Sequence, residues 1–162
     1  MTETIVINNS LSKEEKYIEL NKQLKTLLNK NENLISNLAN FTALLKQTFE
    51  KISWIGFYLF DGKELYLGPF QGKVACTIIQ IGKGVCGTSA QNKETIIVPD
   101  VNQFPGHIFC DPDSKSEIVV PLFNNENLFG VLDIDSNFLN SFDTTDKKYL
   151  EKFVNFLSEE II

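Results

Sequence analysis

The sequence holds no run of about 18 consecutive apolar residues, the length that a membrane-spanning helix needs, so no segment reads as a transmembrane span. It also lacks any run of five or more basic residues, and its 15 basic against 21 acidic side chains leave a net charge of −6. Neither nucleic acid nor an anionic membrane is an expected partner of such a chain. No Gly-rich phosphate loop follows a strand-like run, and there is no nucleophile-elbow serine. Met1 to Ser10 have no basic n-region and no long apolar stretch, so they do not read as a signal peptide, and a cytoplasmic location is expected.

Cysteine is scarce and odd in number: Cys76, Cys86 and Cys110 stand 10 and 24 residues apart. In a reducing compartment disulfides are rare and mostly transient or catalytic, so a permanent disulfide framework is a poor reading. Three Cys and the single histidine, His107, could in principle bind zinc, but no Cys-x-x-Cys spacing exists. Neither a metal nor a cofactor is expected. One Trp stands against 13 Phe, which points to a Phe-packed core and not to an exposed stacking surface.

The 162 residues suit one domain with a loose tail over 1–10. Helical spacing runs from Ser12 to about Asn29, with Asn29 or Asn31 as breaker, and again from Asn33 to Phe49, where Leu38, Phe41, Leu45 and Phe49 make one apolar stripe. Trp54 to Phe60 is dense in aromatic and β-branched residues, and Asp61-Gly62 before Glu64 to Leu67 signals a two-residue hairpin turn. A turn-rich loop over 68–72, a strand from Ala75 to Ile81, a short helix over 85–92 and a strand over 95–98 follow. Asp100 to Lys115 is a 16-residue loop without periodicity, and loops of that length are usually functional. Glu117 to Phe123 and Leu128 to Ile134 read as strands. Asp143, with Asp146 three residues on, is placed to cap a last helix from Thr144 to Ile161. The order implies an α+β domain, an antiparallel sheet with helices packed on it.

Four features could carry chemistry. Asp133 and Asp135 interrupt an apolar strand and share one face of it, and a hairpin would bring Glu117 beside them. Three converging carboxylates suit an ammonium group or a shared proton; alternatively the strand simply ends there and both aspartates face water. Trp54 and Tyr58 share a face with Gly56 between them, which could let a ligand or backbone approach, or they are ordinary core. Cys86 stands at the start of a short helix, where a thiol pKa is lowered. Cys110 follows His107 by three residues and precedes the acidic Asp111, while Cys76 starts a strand. Any one of these cysteines could equally be a small buried hydrophobe.

Six words in order, Trp-Ile-Gly-Phe-Tyr (54–58), Leu-Gly-Pro-Phe-Gln-Gly-Lys-Val-Ala-Cys (67–76), Gly-Lys-Gly-Val-Cys-Gly (82–87), Pro-Gly-His-Ile-Phe-Cys-Asp (105–111), Ser-Glu-Ile-Val-Val-Pro (116–121) and Leu-Asp-Ile-Asp-Ser (132–136), resemble the free methionine-(R)-sulfoxide reductase family. The resemblance implies a GAF-like fold: a central antiparallel sheet flanked by two N-terminal helices and one C-terminal helix, in a homodimer. It implies reduction of free L-methionine (R)-S-oxide, with thioredoxin as reductant and a role in repair of oxidative damage. On this likeness Cys110 attacks the sulfoxide sulfur and becomes a sulfenic acid, and Cys76 or Cys86 resolves it as a disulfide. Glu117, Asp133 and Asp135 bind the ammonium and help protonate the oxygen, while Trp54 and Tyr58 hold the S-methyl end. The bulky Phe109 before Cys110 departs from the smaller residue more usual there. The rival readings are a ligand-sensing GAF module, a regulatory redox sensor, and a structural protein with inert thiols.

Overall fold

The computed structural model describes residues 7–162. Ser12 and Glu15 form a reciprocal capping box that starts α1 (Lys13–Leu27), and the Asn33 side chain caps α2 (Leu34–Thr48). Neither Asn29 nor Asn31 is the cap; Asn29 instead exchanges hydrogen bonds with the buried Asn37. The strands are β1 (Trp54–Phe60), β2 (Glu64–Gln71), β3 (Ile78–Gln80), β4 (Ile96–Val98), β5 (Ser116–Asn124) and β6 (Asn127–Ser136). The short helix α3 (Gly84–Asn92) lies between β3 and β4, and α4 (Thr144–Glu160) closes the chain. All six strands form one antiparallel sheet in the order β3-β2-β1-β6-β5-β4.

Strand alternation divides the sheet into two unlike faces. Ile55, Phe57, Leu59, Ile118, Val120, Leu122, Leu132 and Ile134 point to the side covered by α1, α2 and α4, where they join Leu20, Phe41, Leu45, Phe153 and Leu157 in the larger core. Trp54, Tyr58, Val119 and Val131 face the other side and pack with Val85, Cys86 and Ala90 of α3. That second layer is thin, and the candidate site residues lie in it.

Three stretches differ from the expectation drawn from turn residues. The segment 68–72 is strand as far as Gln71: β2 continues past Pro69 because two of its residues, Gly68 and Pro69, stand opposite the single Phe57, a bulge that tolerates a residue without an N–H. Phe70 then stacks on Trp54 with ring centroids 5.5 Å apart. Conversely, only Ile78–Gln80 of the expected 75–81 strand pairs, so Cys76 lies in a loop, where its carbonyl accepts a hydrogen bond from the Tyr58 hydroxyl at 2.9 Å. The β1–β2 turn centres one residue later than the Asp-Gly pair suggests. Asp61 pairs its N–H with the Glu64 carbonyl, and its carboxylate accepts from the Lys63 and Glu64 amides. The 100–115 segment is irregular apart from one 3-10 turn at Val101–Gln103, and its ends are tied by Val101 N–H to Lys115 O at 2.9 Å.

The helical layer is pinned by one carboxylate. Asp143 and Asp146 form the capping box of α4, and Asp146 is fully buried. It accepts from the Tyr17 hydroxyl at 2.7 Å, Lys51 at 2.7 Å and Lys13 at 3.1 Å, which joins α1, the α2–β1 connection and α4. Replacing Asp146 by Asn leaves Lys51 facing a neutral amide in a largely dry site. We expect a loss of about 2 kcal/mol, discounted for the partial exposure of both lysines, as a lowered urea midpoint with an unchanged slope. An unchanged midpoint would contradict this role for Asp146.

Candidate active site

The register of three adjacent strands assembles the pocket floor. Trp54 lies opposite Asp135, Gly56 opposite Asp133, and Glu117 opposite Asp135 from the other side. The three carboxylates therefore converge as the hairpin reading expects. Glu117 and Asp133 are buried, and Asp135 is partly exposed. The cavity above them has about 530 Å³ of empty space including its mouth, and its lining includes Trp54, Tyr58, Cys86, His107, Cys110 and the three acids.

Trp54 is held edge-on by its indole N–H, which donates to the Lys73 carbonyl at 3.0 Å, and it stacks against Tyr58 at 6.0 Å. Gly56 is needed for this ring and for nothing that enters from outside. A Cβ there would collide with the Trp54 six-membered ring and with Phe70 Cβ.

Burial pushes the carboxyl pKa of Glu117, Asp133 and Asp135 well above the usual range, and their mutual repulsion pushes it further. The partners given to them are few. Ser114 donates to Asp135 at 2.7 Å, and His107 Nε2 lies 3.3 Å from Glu117. Asp133 Oδ1 and His107 Nδ1 are buried without a partner. Burial lowers the His107 pKa, so the ring is neutral near pH 7 and does not offset the negative charge.

The cysteines divide differently from the helix-terminus expectation. Cys86 does stand in the first turn of α3, but it is buried with its Sγ 4.0 Å from Glu117 Oε1. Burial first, then the Asp133 and Glu117 charges, raise its thiol pKa well above the ordinary value. A nine-residue helix does not offset that desolvation, so Cys86 is not the acidified thiol that its place at a helix start implies. Cys76 and Cys110, 34 residues apart in sequence, are joined by a disulfide at the pocket mouth. Cys86 is the free thiol. Lys73 bridges the same two loops by pairing with Asp111 at 3.4 Å and with Asp113, which compensates the acid beside Cys110. Ser114 carried no signal in the sequence, since loop residues have no period; Lys73 and His107 stood within the family words, without a role given to either.

A GAF domain family model matches residues 33–161. The chain is 55% identical to GAF domain-containing protein A of Dictyostelium discoideum over 90% of this chain and 92% of that one. It is 45% identical to the free methionine-R-sulfoxide reductase of Saccharomyces cerevisiae over 96% of this chain and 91% of that one. The solved free methionine-R-sulfoxide reductase of Neisseria meningitidis, in complex with its substrate, superposes with a TM-score of 0.91 at 42% identity, covering 96% of this chain and 93% of that chain. The chain belongs to the GAF-domain free methionine-R-sulfoxide reductase family. Within the described residues no helix is long and apolar enough to cross a membrane.

The raised carboxyl pKa values fix a sign. In the unfolded chain these acids ionise in their ordinary range, near 3.8 for Asp and 4.5 for Glu, while in the fold they hold protons to higher pH. Between those limits the native state binds more protons, so this cluster's contribution to stability falls as pH rises. Glu117→Gln should therefore stabilise the fold at pH 8 by on the order of 1 kcal/mol, read as a higher melting temperature, and by less at pH 5. Equal effects at both pH values would contradict the assignment of a proton-holding cluster.

Proposed function

We propose that this chain reduces free methionine (R)-sulfoxide to methionine, with Cys110 as the attacking thiol and Cys76 as the resolving one. The observation that carries this pairing is the Cys76–Cys110 disulfide at the mouth of an acid-floored pocket, and of the two it is Cys110 that lines the pocket. The substrate's sulfinyl group meets Cys110, its methyl end rests on Trp54 and Tyr58, and its ammonium meets the carboxylates of Glu117, Asp133 and Asp135. A free amino acid also carries a carboxylate. The open amides at the start of α3, which has no side-chain cap, and the pocket-lining Lys83 suit that charge.

The steps conserve atoms and electrons. The Cys110 thiolate attacks the sulfoxide sulfur while a carboxyl of the floor gives its proton to the oxygen. The oxygen ends on Cys110 as a sulfenic acid, and methionine departs two electrons reduced. The Cys76 thiolate then attacks Cys110 Sγ, the sulfenic oxygen leaves as water, and the disulfide forms. A dithiol protein of the thioredoxin type returns two electrons and two protons. The raised carboxyl pKa values suit this scheme, because a carboxyl that holds its proton to higher pH is a better proton donor.

Single turnovers without reductant separate the roles. Cys110→Ser should yield no methionine. Cys76→Ser should yield one equivalent and accumulate a sulfenic acid that dimedone traps. Cys86→Ser should yield one equivalent and form the disulfide. Stoichiometric methionine from Cys110→Ser would overturn the assignment.

A further inference from the structure

The proposed reaction leaves Cys86 without a task, yet its sulfur is buried among acids. Cys86 Sγ, a Glu117 oxygen and an Asp133 oxygen all lie within 4.8 Å of one another. Two further observations indicate that the cluster is short of a cation. Asp133, only 7% exposed, keeps its Oδ1 without any partner, and this residue lines the cavity. Among the described residues, the one basic side chain paired with any of the three acids is His107, and it reaches Glu117 alone.

We propose that this floor binds a borderline-soft divalent cation of the zinc type through Cys86, Glu117 and Asp133, and that the ion excludes the substrate's ammonium. The exclusion rests on the function proposed above; the binding does not. The donor set selects the metal class. A thiolate with two carboxylate oxygens suits zinc, whereas magnesium and calcium take more ligands and all of them oxygen. Tetrahedral zinc spaces sulfur and oxygen ligands roughly 3.3–3.7 Å apart, so the observed triangle needs only a slight inward turn of side chains. His107 Nε2, 3.3 Å from the other Glu117 oxygen, would orient that carboxylate as an outer partner, and the fourth position faces the cavity. This is not the cysteine-rich structural site that the missing Cys-x-x-Cys spacing argues against; it uses one sulfur and two acids brought together by the sheet register and α3. Binding displaces the thiol proton and any proton held on the two carboxyls, and changes no oxidation state.

The oxidised protein makes the test clean, because the disulfide leaves Cys86 as the free thiol. Cobalt(II), a spectroscopic stand-in for zinc, is titrated into it without reductant. A thiolate-to-cobalt charge-transfer band with the visible bands of four-coordinate cobalt is expected at one equivalent, and excess zinc should abolish it. Cys86→Ser, checked for an unchanged far-ultraviolet circular dichroism spectrum, should lose the band. Asp133→Asn should weaken binding at least tenfold. Methionine, which carries the same ammonium, should displace the cobalt. No charge-transfer band, or equal binding by Cys86→Ser, overturns the site; a band that methionine leaves unchanged overturns the exclusion. None of these readouts uses turnover, so a failure here is distinct from a failure of the single-turnover assays.

Discussion

Three carboxyl groups held against one another out of water set the character of this molecule. Glu117, Asp133 and Asp135 come together because antiparallel pairing of β1, β6 and β5 puts them on one face, opposite Trp54 and Gly56. Burying acids so close together disfavours their ionisation, and among the described residues their side-chain partners are His107, Ser114 and the Cys86 thiol. The rest of the fold tolerates that cost. The opposite face of the sheet carries the larger core, and α1, α2 and α4 are locked there around the buried Asp146. The thin layer of α3 and two loops is left free to be polar, open and chemically active.

In the proposed reaction the same acids suit the pocket to a small charged substrate. A peptide-bound methionine has no ammonium to offer them. A free amino acid does, and gains from partners that are otherwise unpaired. The thiols sit at the mouth, where Cys76 and Cys110 on two separate loops reach one another, with Lys73 pairing with Asp111 and Asp113 beside them. Cys86 is held deeper, where burial first and then the same acids raise its thiol pKa, and it stands free of the disulfide as a potential metal ligand.

Much of this was legible in the sequence because it depends on period. Strand parity put Asp133 with Asp135 and Trp54 with Tyr58, helical stripes gave α2 and α4, and Asp143-x-x-Asp146 gave the cap of α4. What failed depends on the third dimension. Glycine and proline at 68 and 69 look like a turn, but a bulge opposite Phe57 absorbs them. A helix start should acidify Cys86, yet desolvation by neighbours 31 and 47 residues away wins. The partner of Cys110 could not be read at all, since Cys76 and Cys86 are equally plausible by spacing, and only the placement of the loops decides between them.

Burial and mutual repulsion favour the protonated form of the floor carboxyls in the free pocket, and an arriving ligand ammonium favours their ionisation. Infrared difference spectroscopy of the oxidised protein at pH 7, with and without methionine, measures this directly. A carbonyl stretch from protonated carboxyl should be present in the free protein, lose intensity on binding, and be reduced in Glu117→Gln and Asp133→Asn. A free protein with no protonated carboxyl at pH 7, or a band that methionine leaves unchanged, would contradict the account.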